Sequence, residues 1–246
     1  MRSSWAPRCR DRRIQRRWFV RSPAFHAKLA VVEIKFCGMT RPEDARQAGS
    51  LGAKYVGVIF AESPRQLSDE RAREVYAALP KSVARVGVFG AEQPERIARR
   101  ATQLALDVVQ LHGDPDTRMI ARVREHWTGK VWAVQRLRGS DVPRSSAELF
   151  AVADAVVLDA HVLGQLGGTG VSLPWKEIRD RIHSLRAGRA RLVLAGGLRA
   201  DNVATAIDLL QPDVVDVSSG VESEVGMKDH ARMRAFRDAV QEVGAR

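Results

Sequence analysis

A unit of about 25–30 residues recurs along this chain from residue 31 onwards, consisting of a short apolar run, a turn and a helical pattern. The apolar runs are nearly continuous rather than alternating, which indicates strands that are buried on both faces of a parallel sheet. Eight such runs predict strands at about Glu33–Met39, Tyr55–Phe60, Ala84–Phe89, Val108–His112, Val131–Leu137, Ala155–Asp159, Arg191–Ala195 and Val214–Val217.

Eight strand–helix units in about 215 residues predict one closed (β/α)8 barrel, the TIM-barrel fold of the α/β class, over residues 31–246. A doubly wound open sheet is the alternative. Such sheets usually have fewer strands, and the first turn lacks the G-x-G-x-x-G pattern. Predicted helices are Arg41–Leu51, Ser68–Leu79, one opened by Gln93-Pro94-Glu95, one opened by Asp114-Pro115-Asp116, Ser146–Ala153, Pro174–Leu185, Asp201–Leu210 and Lys228–Val243.

The first strand ends in Lys35-Phe36-Cys37-Gly38-Met39-Thr40, and a helix start follows directly. We expect Thr40 to cap that helix, because Pro42 and two acidic residues come next. Cys37 then lies where a strand ends, and ligands bind at that rim of a parallel α/β fold. The thiol could be a nucleophile, a base or a small buried side chain without a chemical role.

The other strand ends also carry polar residues, and in a barrel they face the same mouth. Asp159 follows an apolar run, where partial burial would raise its pKa and keep a proton available. With Cys37 it could form an acid–base pair for a proton-transfer reaction. His112 could assist the thiol or be a hydrogen-bonded structural residue, and Arg65 could clamp a carboxylate or lie on the surface.

Three consecutive glycine-rich loops predict a phosphate site. They are Gly167–Gly170, Ala195–Leu198 and Val217–Val221. Small residues let backbone N–H groups approach an anion, and the loops after strands seven and eight are the usual phosphate site of barrels. Any one of these loops alone would be an ordinary tight turn.

The net charge of +11 is concentrated at the N-terminus, where residues 1–30 carry +8 and the remaining 216 residues carry +3. This extension could bind nucleic acid, could be a targeting segment or could be disordered. We favour a disordered extension, one that translation from a start at Val31 or Val32 would omit.

Two cysteines and no apolar run of about 18 residues favour a cytoplasmic protein that does not span a membrane.

Taken together, these motifs make the chain resemble the phosphoribosylanthranilate isomerase family of tryptophan biosynthesis. The resemblance runs from about residue 33 to the C-terminus. It rests on Lys35–Thr40, Gly57–Phe60, Ser63–Arg65, Val86–Phe89, Val109–Gly113, Leu158-Asp159, Gly167–Gly170, Leu194–Leu198, Val215–Glu222 and Gly226–Asp229.

The resemblance implies an Amadori rearrangement of N-(5-phosphoribosyl)anthranilate without a metal or organic cofactor. It implies that Asp159 is the general acid, that Cys37 is the general base and that Arg65 holds the anthranilate carboxylate. The implied substrate-binding residues are Arg65, His112, Gly168, Thr169, Gly170, Gly197, Ser218, Ser219 and Gly220. The expected partner is therefore a small phosphorylated molecule, bound by a monomer or a homodimer.

Two alternatives compete with this interpretation. A histidine-pathway isomerase would do the same rearrangement, but that family looks to use paired aspartates where this chain has Cys37. A non-catalytic phosphate- or nucleic-acid-binding barrel would use the basic extension as an arm. Cys37 and Asp159 at strand ends argue against that second alternative, and nucleic acid is not an expected partner.

Overall fold

The computed structural model describes residues 31–160, 172–186 and 188–244. The predicted basic extension, residues 1–30, and the predicted loop residues Gly168, Thr169 and Gly170 lie outside these ranges. None of the helices described in the structure is both long and apolar enough to cross a membrane.

Eight parallel strands form a closed barrel in which each strand pairs with the next and β8 pairs with β1, so the barrel prediction is confirmed and the open sheet is excluded. The strands are β1 Glu33–Phe36, β2 Tyr55–Ile59, β3 Ala84–Phe89, β4 Val108–Leu111, β5 Lys130–Leu137, β6 Ala155–Ala160, β7 Arg191–Leu194 and β8 Val214–Val217.

The helices are α1 Pro42–Ser50, α2 Asp69–Ala77, α3 Pro94–Gln103, α4 Thr117–His126, α5 Ser146–Val152, α6 Trp175–Leu185, α7 Val203–Leu210 and α8 His230–Gly244. Their starts follow local chemistry: the Ser68 side chain accepts a hydrogen bond from the Arg71 amide at α2, and Asp116 accepts one from the Met119 amide at α4.

Two layers of apolar side chains hold the barrel together. An outer layer lies between the helices and the strands, and an inner layer fills the barrel. The inner layer includes Tyr55 and Trp132, whose rings meet edge to face at 4.8 Å. Trp132 is fully buried, and truncating such a side chain to alanine costs about 3–5 kcal/mol. The barrel is therefore a packed core, and a ligand can approach the polar strand ends only from the mouth.

A hairpin that the sequence pattern did not predict lies between β8 and α8. A short 3₁₀ helix, Ser219–Val221, leads into β9 Glu222–Glu224, which pairs antiparallel with β10 Met227–Lys228. Its tip reaches the start of α1, where the Thr40 hydroxyl donates a hydrogen bond to the Gly226 carbonyl. The prediction that Thr40 caps α1 is therefore wrong, because the hairpin offers its side chain a different partner and Arg41 is the cap residue.

Candidate active site

A cavity opens at the carboxyl ends of the barrel strands, and the strand-end residues predicted from the sequence surround it. The predicted residues that line it are Cys37, Arg65, His112, Asp159, Gly197, Ser218, Ser219 and Gly220. Parallel strands that close into a barrel bring their carboxyl ends to one mouth, and for this reason residues from units as far apart in sequence as one, four, six and eight meet here.

The Cys37 thiol lies directly after β1, whose pairing with β8 continues through a hydrogen bond from the Cys37 amide to the Val217 carbonyl at 2.9 Å. Only 7% of the residue is exposed. Burial raises the pKa of the thiol, while the ammonium groups of Lys35 and Lys228 act in the opposite direction. Cys37 is thus a buried thiol at a cavity wall with cations beside it, which is the setting in which a thiol can serve as a base.

Asp159 lies near the end of β6 and is buried against the same cavity. Burial and the nearby Asp216 charge raise its pKa to about 6, although the Ala160 amide donates to its Oδ1 at 2.9 Å and opposes the shift. A carboxyl group in this state can give up a proton near neutral pH, as a general acid must.

His112 follows β4, and its Nε2 lies 3.7 Å from Oδ2 of Asp159. Burial and the charges of Arg136 and Lys35 lower the pKa of His112 to about 4. The imidazole is therefore neutral at pH 7, and the contact with Asp159 is not an ion pair. Nε2 is buried and has no hydrogen-bond partner among residues 31–160, 172–186 and 188–244. It is available to a ligand hydroxyl.

Arg65 is held at the cavity by a buried carboxylate on the hairpin. Its Nε and Nη2 donate to the two carboxylate oxygens of Glu222 at 2.8 and 2.6 Å. Lys228 donates from Nζ to Oε1 of Glu222 at 2.8 Å and to the Ser218 carbonyl at 3.1 Å. The hairpin therefore fixes the arginine side chain, which is buried rather than on the surface.

The turns after β7 and β8 form the glycine-rich wall. Gly196 and Gly197 have φ angles of 83° and 62°, which only glycine adopts easily. A Cβ on Gly220 would lie 1.9 Å from the Leu198 carbonyl oxygen, so the two turns touch backbone to backbone. Within the described ranges, the amides of Gly197, Ser219 and Gly220 make no hydrogen bond to a turn, loop or cap acceptor. Such amides can bind an anion.

Four buried charged residues of the site had no predicted role: Lys35, Asp216, Glu222 and Lys228. Lys35 and Asp216 lie opposite each other on β1 and β8, and Nζ of Lys35 is 2.7 Å from Oδ2 of Asp216. A charged residue inside a continuous apolar strand was the sequence feature that could have identified both. Glu222 and Lys228 lie on the hairpin, which had no apolar pattern to predict it.

The described residues contain no group of three or more His, Cys, Asp or Glu side chains arranged to hold a metal ion. The cavity instead joins a thiol, a carboxyl group with a raised pKa, a fixed guanidinium and a wall of backbone amides. Together with the fold, this arrangement defines the class: a (β/α)8-barrel enzyme whose cavity holds groups that can give and take a proton beside a wall that can bind an anion.

Comparison with known proteins gives the particular family. The family model for N-(5'-phosphoribosyl)anthranilate (PRA) isomerase matches residues 34–239. The chain therefore belongs to the PRA isomerase family, enzymes of tryptophan biosynthesis.

Individual relatives agree with this assignment. The chain is 41% identical over 213 residues to the N-(5'-phosphoribosyl)anthranilate isomerase of Rubrobacter xylanophilus, covering 86% of this chain and all of the relative. Monomers generated from the dimeric enzyme of Thermotoga maritima superpose with a TM-score of 0.73 at 34% identity, over 86% of this chain and 99% of that one.

A further isomerase structure contains reduced 1-(o-carboxyphenylamino)-1-deoxyribulose 5-phosphate. It superposes with a TM-score of 0.71 at 33% identity, again over 86% of this chain and 99% of that chain. The solved structures similar to this chain thus include a ligand complex and monomeric and dimeric forms.

Proposed function

We propose that Asp159 and Cys37 are the general acid and the general base with which this chain rearranges N-(5'-phosphoribosyl)anthranilate to 1-(2-carboxyphenylamino)-1-deoxyribulose 5-phosphate. The observation that carries the proposal is that a buried carboxyl group with a pKa of about 6 and a buried thiol line one cavity. An Amadori rearrangement needs one proton given and one taken at neighbouring positions of the sugar.

Asp159 acts first, on the ribose ring. Its proton goes to the ring oxygen, the bond between that oxygen and C1 breaks, and the anthranilate nitrogen supplies the electron pair for a C1–N double bond. The raised pKa of Asp159 suits this step, because an aspartate with its ordinary pKa would hold almost no proton at neutral pH.

Cys37 acts second, on C2 of the opened sugar. Its thiolate removes the C2 proton, the C–H electrons form a C1–C2 double bond, and the C–N π electrons return to nitrogen. The resulting enolamine gains a proton at C1 and loses the hydroxyl proton at C2 to become the ketone. The substrate's own nitrogen is the electron sink, so the proposed mechanism uses no metal or organic cofactor.

The remaining residues hold the two charged ends of the substrate. Arg65 binds the anthranilate carboxylate, since a guanidinium can meet a carboxylate with two parallel hydrogen bonds. His112, neutral at pH 7, hydrogen-bonds a sugar hydroxyl through Nε2. We assign the phosphate to the backbone and hydroxyl groups of Gly197, Ser218, Ser219 and Gly220, and to the loop residues Gly168, Thr169 and Gly170.

The same proposal covers the setting in which the enzyme works. A thiol that acts as a base must stay reduced, which favours the cytoplasm. We expect a monomer or a homodimer that acts on a small phosphorylated substrate, with no role for nucleic acid or a membrane.

Turnover of freshly generated phosphoribosylanthranilate, followed by loss of its fluorescence, tests the assignment. The full chain should convert the substrate, and Cys37→Ser and Asp159→Asn should each lose at least about a hundredfold in kcat while substrate still binds. Val225→Ala, on the exposed hairpin tip, is the matched control and should keep full activity. Full turnover by either active-site variant would overturn the role given to that residue.

A further inference from the structure

Lys35 is a fully buried charge that the steps above do not use. Its side chain is 0% exposed, and its Nζ lies 2.7 Å from Oδ2 of Asp216. Lysine is almost never fully buried unless it is paired, and burying such a pair in place of apolar side chains is often neutral or destabilising. Stability alone therefore gives little reason to place this pair at the active end of the barrel.

Lys35 lies on β1, and Cys37 lies two residues further on, directly after the strand and still paired with Val217, so both side chains are on the same side of the chain, towards the barrel. Both pack against Gly57 of β2. A methyl group on Gly57 would lie 2.8 Å from Sγ of Cys37 and 3.2 Å from Nζ of Lys35. The missing side chain at this position leaves the space in which the thiol and the ammonium group come close to each other.

The charged groups around Cys37 also carry a net positive charge, which favours a thiolate. Its charged surroundings include the cations Lys35, Arg65 and Lys228, and the carboxylates Asp216 and Glu222 that pair with them. This cluster carries one more positive than negative charge. A thiolate at Cys37 would balance it in the reactive form of the site, in which His112 is neutral and Asp159 carries the proton that it gives up.

We infer that Lys35, anchored by Asp216, is a positioning residue for the base: its ammonium group orients the sulfur of Cys37 and stabilises the thiolate. The inference rests on the proposed role of Cys37 as the base. When Cys37 ionises, its proton leaves through the open mouth to solvent and the sulfur keeps the electron pair. Asp216 holds the ammonium group in place and keeps Lys35 charged despite its burial.

The electrostatics of the cavity agree with this geometry. Burial raises the pKa of Cys37, and Lys35 opposes that shift more strongly than any other charged group. Asp216 on β8 raises the thiol pKa, and Lys228 on β10 lowers it. Arg65 after β2 and Tyr76 on α2 also interact with the thiol. The cation and its anchor therefore act on Cys37 with opposite signs.

Titration of the thiol tests the inference without any turnover. Thiolate absorbance in the ultraviolet is followed against pH in a Cys9→Ser background, since Cys9 is the only other cysteine, and the Cys37→Ser signal is subtracted. Lys35→Met should raise the pKa of Cys37. Asp216→Asn should lower it, because a thiolate at Cys37 then takes the place of Asp216 as the negative charge that keeps Lys35 protonated. A merely structural pair would not give shifts of opposite sign.

Lys35→Met leaves Asp216 buried without its partner and could prevent folding, so the double variant Lys35→Met/Asp216→Asn is measured as well. It removes both charges and should still show a raised thiol pKa, because Lys35 acts on Cys37 more strongly than Asp216 does. An unchanged thiol pKa in the double variant and in whichever single variant folds would overturn the inference.

Kinetics separate this inference from the proposed function. The acidic limb of kcat/KM should move to higher pH in the double variant, with turnover at neutral pH reduced about tenfold or more. If the thiol titration shifts but Cys37→Ser retains full turnover, the role of Cys37 as the base is wrong while the coupling to Lys35 stands. If Cys37→Ser is inactive but neither the titration nor the limb moves, only the role of Lys35 is wrong.

Discussion

Arg65 and Glu222 are joined by a two-point ion pair at the cavity, with Nε and Nη2 of the arginine on the two carboxylate oxygens. This pair commits one edge of the guanidinium to the protein. The other edge, formed by Nη1 and the second Nη2 hydrogen, remains to meet a substrate carboxylate end on. Under the role proposed for Arg65, the hairpin that carries Glu222 would set the direction from which the aromatic end of the substrate is held.

Glu222→Gln should weaken substrate binding more than it slows the reaction. The amide cannot accept two charge-assisted hydrogen bonds, so Arg65 is less firmly oriented while the acid and the base stay in place. We expect KM to rise about tenfold and kcat to change by less than about threefold, measured by steady-state turnover.

Arg65→Lys is the companion variant, because it keeps the positive charge and loses the planar pair of donors. It should raise KM at least as much as Glu222→Gln does. A large fall in kcat with unchanged KM in both variants would contradict a carboxylate-binding role for Arg65.

Asp159→Asn should stabilise the protein in a pH-dependent way. The folded pKa of about 6 exceeds the ordinary 3.8, so the folded state holds the proton more tightly and stability falls as the pH rises from about 4 to about 6. Above pH 6 the variant avoids a penalty of up to about 3 kcal/mol. Urea unfolding at several pH values should show a gain that vanishes near pH 4, and an equal gain at every pH would contradict burial as the cause.

His112→Gln should make the protein more stable than the wild type at acidic pH. The folded pKa of about 4 lies below the ordinary 6.5, so the unfolded chain takes up the proton first and stability falls as the pH drops from about 6.5 to about 4. Glutamine does not titrate and removes that loss. The variant should gain on the wild type by up to about 3 kcal/mol towards pH 4 in chemical denaturation, and a constant difference across this range would rule out a neutral buried imidazole.

Gly220→Ala tests the glycine-rich wall formed by the turns after β7 and β8. The added methyl group would collide with the Leu198 carbonyl oxygen and push the two turns apart. We expect inhibition by inorganic phosphate to weaken and the substrate KM to rise, each by about tenfold or more, because the amides no longer converge on one anion. Gly244→Ala is the matched control, since a methyl group there meets nothing within 4 Å. Equal effects of the two substitutions would contradict a specific role for the wall.

The barrel could be predicted because its strands and helices are each specified by their own local sequence. Each strand is a continuous apolar run and each helix has its own start, so most element bounds in the structure lie within one or two residues of those predicted. The cavity residues followed from the rule that strand ends share one mouth, which placed Cys37 and Asp159 together although four strands lie between them in sequence. The errors lie where a distant segment supplies a partner, as Gly226 does for Thr40.

The ion pairs of the site could not be predicted for the same reason. Lys35 and Asp216 are 181 positions apart in sequence, and Arg65 and Glu222 are 157 apart. Closure of the barrel between β1 and β8 brings the first pair together, and the hairpin brings the second. Local propensity contains no information on either contact, so charged residues in these segments had no assigned partner.

The proposed roles of Cys37 and Asp159 are tested most directly by single-turnover kinetics with substrate deuterated at ribose C2. Each enzyme variant is present in excess, at a concentration that saturates the substrate. In Cys37→Ser, removal of the C2 proton should limit the rate, so deuteration should slow the reaction by a large primary isotope effect. In Asp159→Asn, ring opening should limit the rate, so deuteration should have almost no effect. The reverse pattern, or the same isotope effect in both variants, would contradict the assignment of Cys37 as the base and Asp159 as the acid.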